Sequence, residues 1–232
     1  MVRNLILNAL PDHEFSFLSR HSKFEPLEVV QVLYEPYVPI QSVYFLAAGT
    51  ACTFTAMQSG IMVANNIAGR EGFLPMPIFL ESDDMPVATT LMTVAGGAWV
   101  LEASFLRRHM GELKCLRTVL NKYATAQMVQ VMQNAGCGRL HHLEERLSCW
   151  LLMISDRVGA EFKITHEMLA EMLGSRRATV TTHAERMQRS GIIKYAYGRV
   201  QIVNRARLER AACECYSIEH RTFTNFLRFK FM

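Results

Sequence analysis

Lys163-Ile-Thr-His-Glu-Met-Leu-Ala-Glu-Met-Leu-Gly-Ser-Arg-Arg-Ala-Thr-Val-Thr-Thr-His-Ala-Glu-Arg-Met187 sets two amphipathic helical patterns on either side of a single glycine. Ala170 is small enough for two helices to approach closely, and Gly174, four residues on, suits the left-handed turn between them. Val180, six residues further, points the apolar face of the second pattern back at the first. That spacing is what a helix-turn-helix needs, with its second helix free to enter a DNA major groove. Taken alone, the three-residue pattern is a weak signal.

The residues that follow strengthen it. Gly191-Ile-Ile-Lys-Tyr195 and Arg199-Val-Gln-Ile-Val203 are short β-type runs around Ala196-Tyr-Gly198, a hairpin by pattern. Asn204 is placed to N-cap a last helix from Arg205 to about Tyr216. Helix, turn, helix and hairpin in that order predict a winged helix. Between Leu173 and Arg210, nine Lys/Arg stand against only Glu185 and Glu209, the electrostatic footprint of a phosphate-binding surface. A basic helix is more often a solvated face, but that reading leaves the helix pair and the wing unexplained.

Charge is unevenly distributed along the 232 residues. Residues 1–138 carry a net −2 and residues 139–232 a net +6, so the basic half is the one expected to meet nucleic acid. A content of 50% hydrophobic residues is ample for real cores in two domains. No apolar run approaches the ~18 residues of a membrane span, and the N-terminus lacks a signal-peptide core, so the expected location is the cytoplasm. The six cysteines (52, 115, 137, 149, 213, 215) are then expected as reduced, mostly buried thiols.

The N-terminal half reads as β-rich. A helix from Asp12 to about Ser19 precedes runs at Val29–Leu33, Ser42–Leu46, Ala51–Met57, Met62–Ile67, Val87–Val94 and Ala98–Glu102. Gly49, Ser59-Gly60, Gly69 and Gly96-Gly97 separate most of them, which suggests a double-sheet jelly roll. A long helix follows from about Phe105 to Asn134. Leu113, Leu116, Leu120, Tyr123, Gln127, Val131 and Asn134 fall at alternating three- and four-residue steps. That is the a/d seam of a homodimer, or else the buried face of a helix packed on its own β domain; the seam is the favoured reading. Gly136-Cys137-Gly138 is expected to break the helix as a hinge. A further helix, Leu140–Arg157, then carries Leu143, Leu147, Trp150, Leu151 and Ile154 on its buried side. The expected architecture is α+β: a β-roll sensor domain over 1–104, a dimerisation helix and hinge over 105–138, and a winged helix-turn-helix over 139–232.

This order of parts, with Gly69-Arg-Glu-Gly72, Leu143-Glu-Glu-Arg-Leu-Ser-Cys-Trp-Leu-Leu-Met153, Met172-Leu-Gly-Ser-Arg-Arg-Ala-Thr-Val180 and Ala211-Ala-Cys-Glu-Cys-Tyr216, resembles the Crp/Fnr family of bacterial transcription regulators over nearly the whole chain. The resemblance implies a homodimer on palindromic double-stranded DNA, with RNA polymerase as a further partner. It also implies that Arg177 takes the place of the arginine that pairs bidentately with a guanine. Ala178 stands where the family has a cytosine-reading glutamate, so the family's usual half-site is not expected. Ser175, Arg176, Thr179 and Thr182 are the remaining candidates on that helix. Thr165 is placed to cap the preceding helix beside a phosphate, and Arg186 and Arg199 read as phosphate contacts. His183 reads as a histidine with a satisfied ring nitrogen.

The sensor half departs from the best-known members. Arg70 and Glu71 are weak effector candidates, but no arginine lies in Pro86-Val-Ala-Thr-Thr90, where a cyclic phosphate would need one. The cysteine cluster of the iron–sulfur members has no counterpart near the N-terminus. His109, His141 and His142 are candidates for haem but read as surface histidines. Cys213 and Cys215, two apart on one expected helix, would point in opposite directions, so no metal or cofactor is expected. Leu74–Leu80 reads as core filling or loop, and the Phe-rich tail Ser217–Met232 as an added helix or a partner contact. Walker, Gly-x-Ser-x-Gly and His-Glu-x-x-His motifs are lacking, so no enzyme is expected. Left open are a cyclic-nucleotide-responsive or haem-sensing regulator of the same fold, and a protein-interaction module that does not bind DNA.

Overall fold

The computed structural model describes residues 4–85 and 88–228. Val87, Phe229 and Phe231, and part of the Pro86–Thr90 element, lie outside them. Two short helices, α1 (Leu5–Asn8) and α2 (Asp12–His21), lead into strands β1 (Lys23–Leu27), β2 (Val32–Tyr34), β3 (Ser42–Ala56), β4 (Met62–Ala68), β5 (Phe73–Leu74) and β6 (Ala88–Glu102). These form one antiparallel sheet in the order β1-β6-β3-β4, with β2 added to β6 and β5 to β3. The four short runs expected on either side of Gly49 and of Gly96-Gly97 are therefore two 15-residue strands, each bent rather than broken at its glycines. The register of β3 against β6 shifts around Ala48 and Thr50. A Cβ on Gly96 would fall 2.1 Å from the Ala48 carbonyl oxygen, so only glycine lets the two bends cross.

Helix α3 (Ala103–His109) and the long α4 (Lys114–Leu140) replace the single helix expected from Phe105. The restart at Lys114 has a cause that the helical pattern could not show. Glu14 of α2 is buried, and its carboxylate accepts from Cys115 N and Leu116 N, both at 2.8 Å. A negative charge on the first amides of a helix is favourable both as a cap and toward the macrodipole. At the other end α4 runs straight through Gly136 and Gly138, where a break was expected. Glycine costs a helix only ~1 kcal/mol relative to alanine. That last stretch is held by Gln130, which accepts from Ile67 N at 3.0 Å, and by Asn134, which donates to the Asn65 carbonyl at 2.9 Å.

The rest of the chain comprises α5 (Leu143–Val158), β7 (Glu161–Lys163), α6 (His166–Leu173), α7 (Arg177–Arg189), β8 (Ile193–Ala196), β9 (Arg199–Ile202), α8 (Arg205–Ala211) and α9 (Glu214–Leu227). The hairpin gains a third strand, giving the order β7-β9-β8. The helix expected over Arg205–Tyr216 is interrupted. Asn204 does cap α8, accepting from Arg207 N at 3.0 Å, but Ala212 and Cys213 are extended and a new helix starts at Glu214.

The β-roll and the winged helix share a core. Cys52, Phe54, Ala64, Ile67 and Leu91 of the roll pack in one apolar cluster with α5, α6, α7 and α8. Every residue of α5 from Leu147 to Ser155 is buried, because the helix is covered on both sides. Where α5 meets the roll, Arg157 Nε lies 2.6 Å from Glu71 Oε1, with both side chains less than a tenth exposed. Gly69 N also donates to that carboxylate at 3.1 Å, Arg157 Nη1 donates to the Met153 carbonyl at 2.9 Å, and the guanidinium lies over the Phe223 ring. A Cβ on Gly69 would fall 2.7 Å from Arg157 Cγ, which explains the first glycine of Gly69-Arg-Glu-Gly72.

Removing one member of such a pair strands a buried charge. Arg157→Met is expected to cost ~3–5 kcal/mol in denaturant unfolding. Adding Glu71→Leu should recover much of that loss, and a double variant no more stable than Arg157→Met would show that the ion pair is not what holds the two parts together.

Candidate nucleic-acid interface

Thr165 ends the extended segment after β7 and caps α6, its hydroxyl accepting from Met168 N at 3.1 Å. Thr165 is exposed, and a cap at the positive end of a helix is an arrangement suited to a phosphate. Gly174 closes α6 in the left-handed region at φ +58°. Its N–H donates to the Glu171 carbonyl at 3.1 Å, and Ser175 N to Ala170 at 2.9 Å. Val180, Ala184 and Met187 form the buried stripe of α7. The opposite face carries Arg176, Arg177, Ala178, Thr179 and Thr182, all exposed, with Ser175 half-buried at the turn.

Arg176 is the N-cap of α7 and its side chain makes no capping bond, so the positive end of the helix is open beside two guanidinium groups. Arg177 Nε lies 3.7 Å from Glu167 Oε2, and both side chains are largely exposed. Such a pair is worth little in water and yields readily to a nucleic-acid partner. Arg199 on the wing is likewise paired with exposed Glu161 at 2.9 Å. Thr182 donates to its own helix at Ala178 O, 3.1 Å, so its methyl is the group left to present outward.

Arg186, exposed like Arg199, also makes a contact within the domain that its sequence position did not show. It and His183 converge on Glu144 of α5, each with a nitrogen 3.0 Å from Oε2, and this carboxylate braces α7 from behind. A second brace is the His166 ring, stacked on Tyr195 of β8 at 3.9 Å, with Nδ1 2.9 Å from Thr181 Oγ1. It ties α6, α7 and the wing together. Burial and the nearby Arg177 charge lower the His166 pKa, keeping the ring neutral. Neither Glu144 nor His166 was singled out in the sequence, because partners 15 to 42 residues apart leave no periodic signal.

The remaining candidates are placed differently from expectation. Leu113, Leu116, Leu120 and Tyr123 are buried against the roll and α1 in their own chain, and Gln127 is buried with Nε2 2.8 Å from the Tyr123 hydroxyl. A seven-residue apolar spacing serves equally for packing on one's own sheet, and here the sheet takes it. Only Val131 of the seven is exposed, beside Met128 and Met132 on the same face. Glu71 is consumed by Arg157, while Arg70 is exposed. Neither lines the apolar cavity of 470 Å³ between β3, β4 and α4 that is walled by Tyr34, Thr53, Asn66, Leu74, Met128 and Met132, among others. His109 packs on Phe17 and Phe105, and His142 begins α5, its N–H donating to Glu145 at 2.8 Å.

Residues 145–211 match the family of Crp-like helix-turn-helix domains. A solved structure described as a Crp/Fnr-family transcriptional regulator of Eubacterium rectale is 19% identical, covering 89% of this chain and 96% of its own, with a TM-score of 0.68. FixK2 of Bradyrhizobium japonicum gives 14%, 83%, 98% and 0.69, and a CRP-family regulator of Thermus thermophilus gives 20%, 81%, 96% and 0.66. No curated protein sequence matches. The protein thus carries a Crp-like helix-turn-helix domain on the fold of the Crp/Fnr transcription regulators. No described helix is long and apolar enough to cross a membrane.

The turn at Gly174 also touches the roll. A Cβ there would lie 2.7 Å from Val63 Cγ2 of β4. Gly174→Ala is expected to cost ~1–2 kcal/mol for the left-handed backbone, with a further loss from the clash. Val63→Ala should return only the second part in a double-mutant cycle read by thermal unfolding; strict additivity would mean that the turn does not rest on β4.

Proposed function

We propose that the protein is a cytoplasmic, homodimeric, sequence-specific DNA-binding transcription regulator whose β-roll receives an effector or a protein signal. The observation that carries this reading is the exposed basic opening of α7 at Arg176 and Arg177, braced from behind by Glu144 and His166. Arg177 is the residue to read a guanine through O6 and N7, Ala178 and the Thr182 methyl offer apolar contact to a thymine methyl, and Thr165 and Arg199 hold phosphates. Selection from a random duplex library with the purified protein tests it. A palindrome with half-sites about one turn apart, ~34 Å, is expected. Failure to enrich any sequence, with or without added metabolite extract, would overturn the reading in favour of a protein-interaction module.

Regulators of this family bind DNA and act as dimers. In this chain the face available for that role is Met128, Val131 and Met132, 63%, 43% and 62% exposed at helical spacing on α4. The same three side chains rim the 470 Å³ cavity. A second copy would cover it, so that a small apolar effector bound there would bear directly on the dimer.

Arg177→Ala should cost ~1–3 kcal/mol on the selected site and relax one base pair, whereas Arg199→Ala should weaken specific and random duplexes alike. Equal losses on both duplexes for Arg177→Ala would remove it from base reading. Met128→Glu with Met132→Glu should shift the sedimenting species from dimer to monomer, and a persistent dimer would place the interface elsewhere.

A further inference from the structure

The break between α8 and α9 assembles a side-chain cluster that neither helix could make alone. Cys213 is the N-cap of α9, with φ −69° and ψ 165°, so its thiol does not follow the helical spacing that would turn it away from Cys215. Both face the C-terminal turn of α4, where Cys137 and His141, four residues apart, share one side. One ligand atom from each of Cys137, His141, Cys213 and Cys215 lies within 4.8 Å of every other.

Two of the separations match the edges of a tetrahedral ligand set. Cys137 Sγ and Cys213 Sγ are 3.6 Å apart, and Cys215 Sγ and His141 Nδ1 are 3.5 Å apart. Zinc bonds of ~2.3 Å to sulfur and ~2.0 Å to nitrogen give tetrahedral edges of ~3.8 Å and ~3.5 Å. The other ring nitrogen, Nε2, lies 3.2 Å from Glu214 Oε1. A carboxylate on the far nitrogen is the usual partner of a metal-bound histidine, because it fixes the tautomer and leaves Nδ1 as the donor. Gln133 Nε2 donates to Cys215 Sγ at 3.1 Å, the kind of donor that a metal-bound thiolate needs. The first amides of α9 add their dipole.

We propose that Cys137, His141, Cys213 and Cys215 form a structural zinc site that fastens the end of the long helix to the start of the last one. The three cysteines are buried and the four ligands complete the tetrahedron, which marks a closed structural site rather than a catalytic one. Binding releases the thiol protons and adds a bridge between two elements that already share the Gln130–Glu219 and Gln133–Cys215 hydrogen bonds. The site sits where α4 hands over to α5, so the ion would stiffen the junction between the sensor and the winged helix.

The test uses the full chain purified under anaerobic, reducing conditions. Elemental analysis after dialysis against zinc-limited buffer is expected to give one zinc per chain. Exchange with cobalt should give sulfur-to-metal charge transfer and the strong visible bands of a tetrahedral ion. Cys137→Ser and Cys215→Ser should abolish both signals, and Cys115→Ser should leave them unchanged. Glu214→Gln, which keeps all four ligands and the surface of the fold, should weaken zinc in a chelator competition by ~10–100-fold. Substoichiometric metal in the reduced protein, an octahedral cobalt spectrum without sulfur charge transfer, or full binding by Cys137→Ser and Cys215→Ser would each overturn the site. So would recovery of the protein only as a metal-free Cys137–Cys213 disulfide.

Discussion

The buried pair between Glu71 and Arg157 is the contact on which the relative placement of the two halves depends. A guanidinium and a carboxylate withdrawn from water lose several kcal/mol of hydration each, and their mutual attraction offsets this only when the geometry is good and other polar groups complete it. Here the backbone of Gly69, the Met153 carbonyl and the Phe223 ring complete it. The pair is directional, so it fixes the rotation of α5 about its own axis as well as its distance from the roll. Helix α7 is braced on α5 through Glu144, and the aim of the recognition face is thereby referred back to the β-roll.

That chain of contacts is short and made of few groups. Glu71 is held by Arg157 on α5, Glu144 on α5 holds His183 and Arg186 of α7, and His166 ties α7 to the wing. The surface proposed to meet DNA is by contrast loosely engaged: its ion pairs with Glu167 and Glu161 are exposed and easily exchanged. The division suits a reading head, rigid behind and available in front.

Much of this was legible in the residues. Gly174, the Val180 stripe and the glycine turn at Gly198 have purely local causes, and local causes leave periodic or positional traces. The boundaries that were misread have distant causes. Helix α4 begins where Glu14, a hundred residues earlier in the chain, caps it, and it passes Gly136 because Gln130 and Asn134 pin it to β4. The seam from Leu113 to Tyr123 was misassigned because spacing reports that a face is buried and not what buries it. One trace went unused: the unbroken run Cys149-Trp-Leu-Leu-Met-Ile154 has no polar side, which already says that α5 is covered all round.

Trp150 lies in that run, 4% exposed, in the cluster where the roll and the winged helix meet. The other tryptophan, Trp99, sits within the roll, edge-on to Phe24. The protein therefore contains a natural pair of optical probes, one at the seam between its halves and one remote from it. Separation of the halves would wet the indole of Trp150 and leave that of Trp99 in place, so emission can distinguish a parting of the two units from a general loss of structure without any added label.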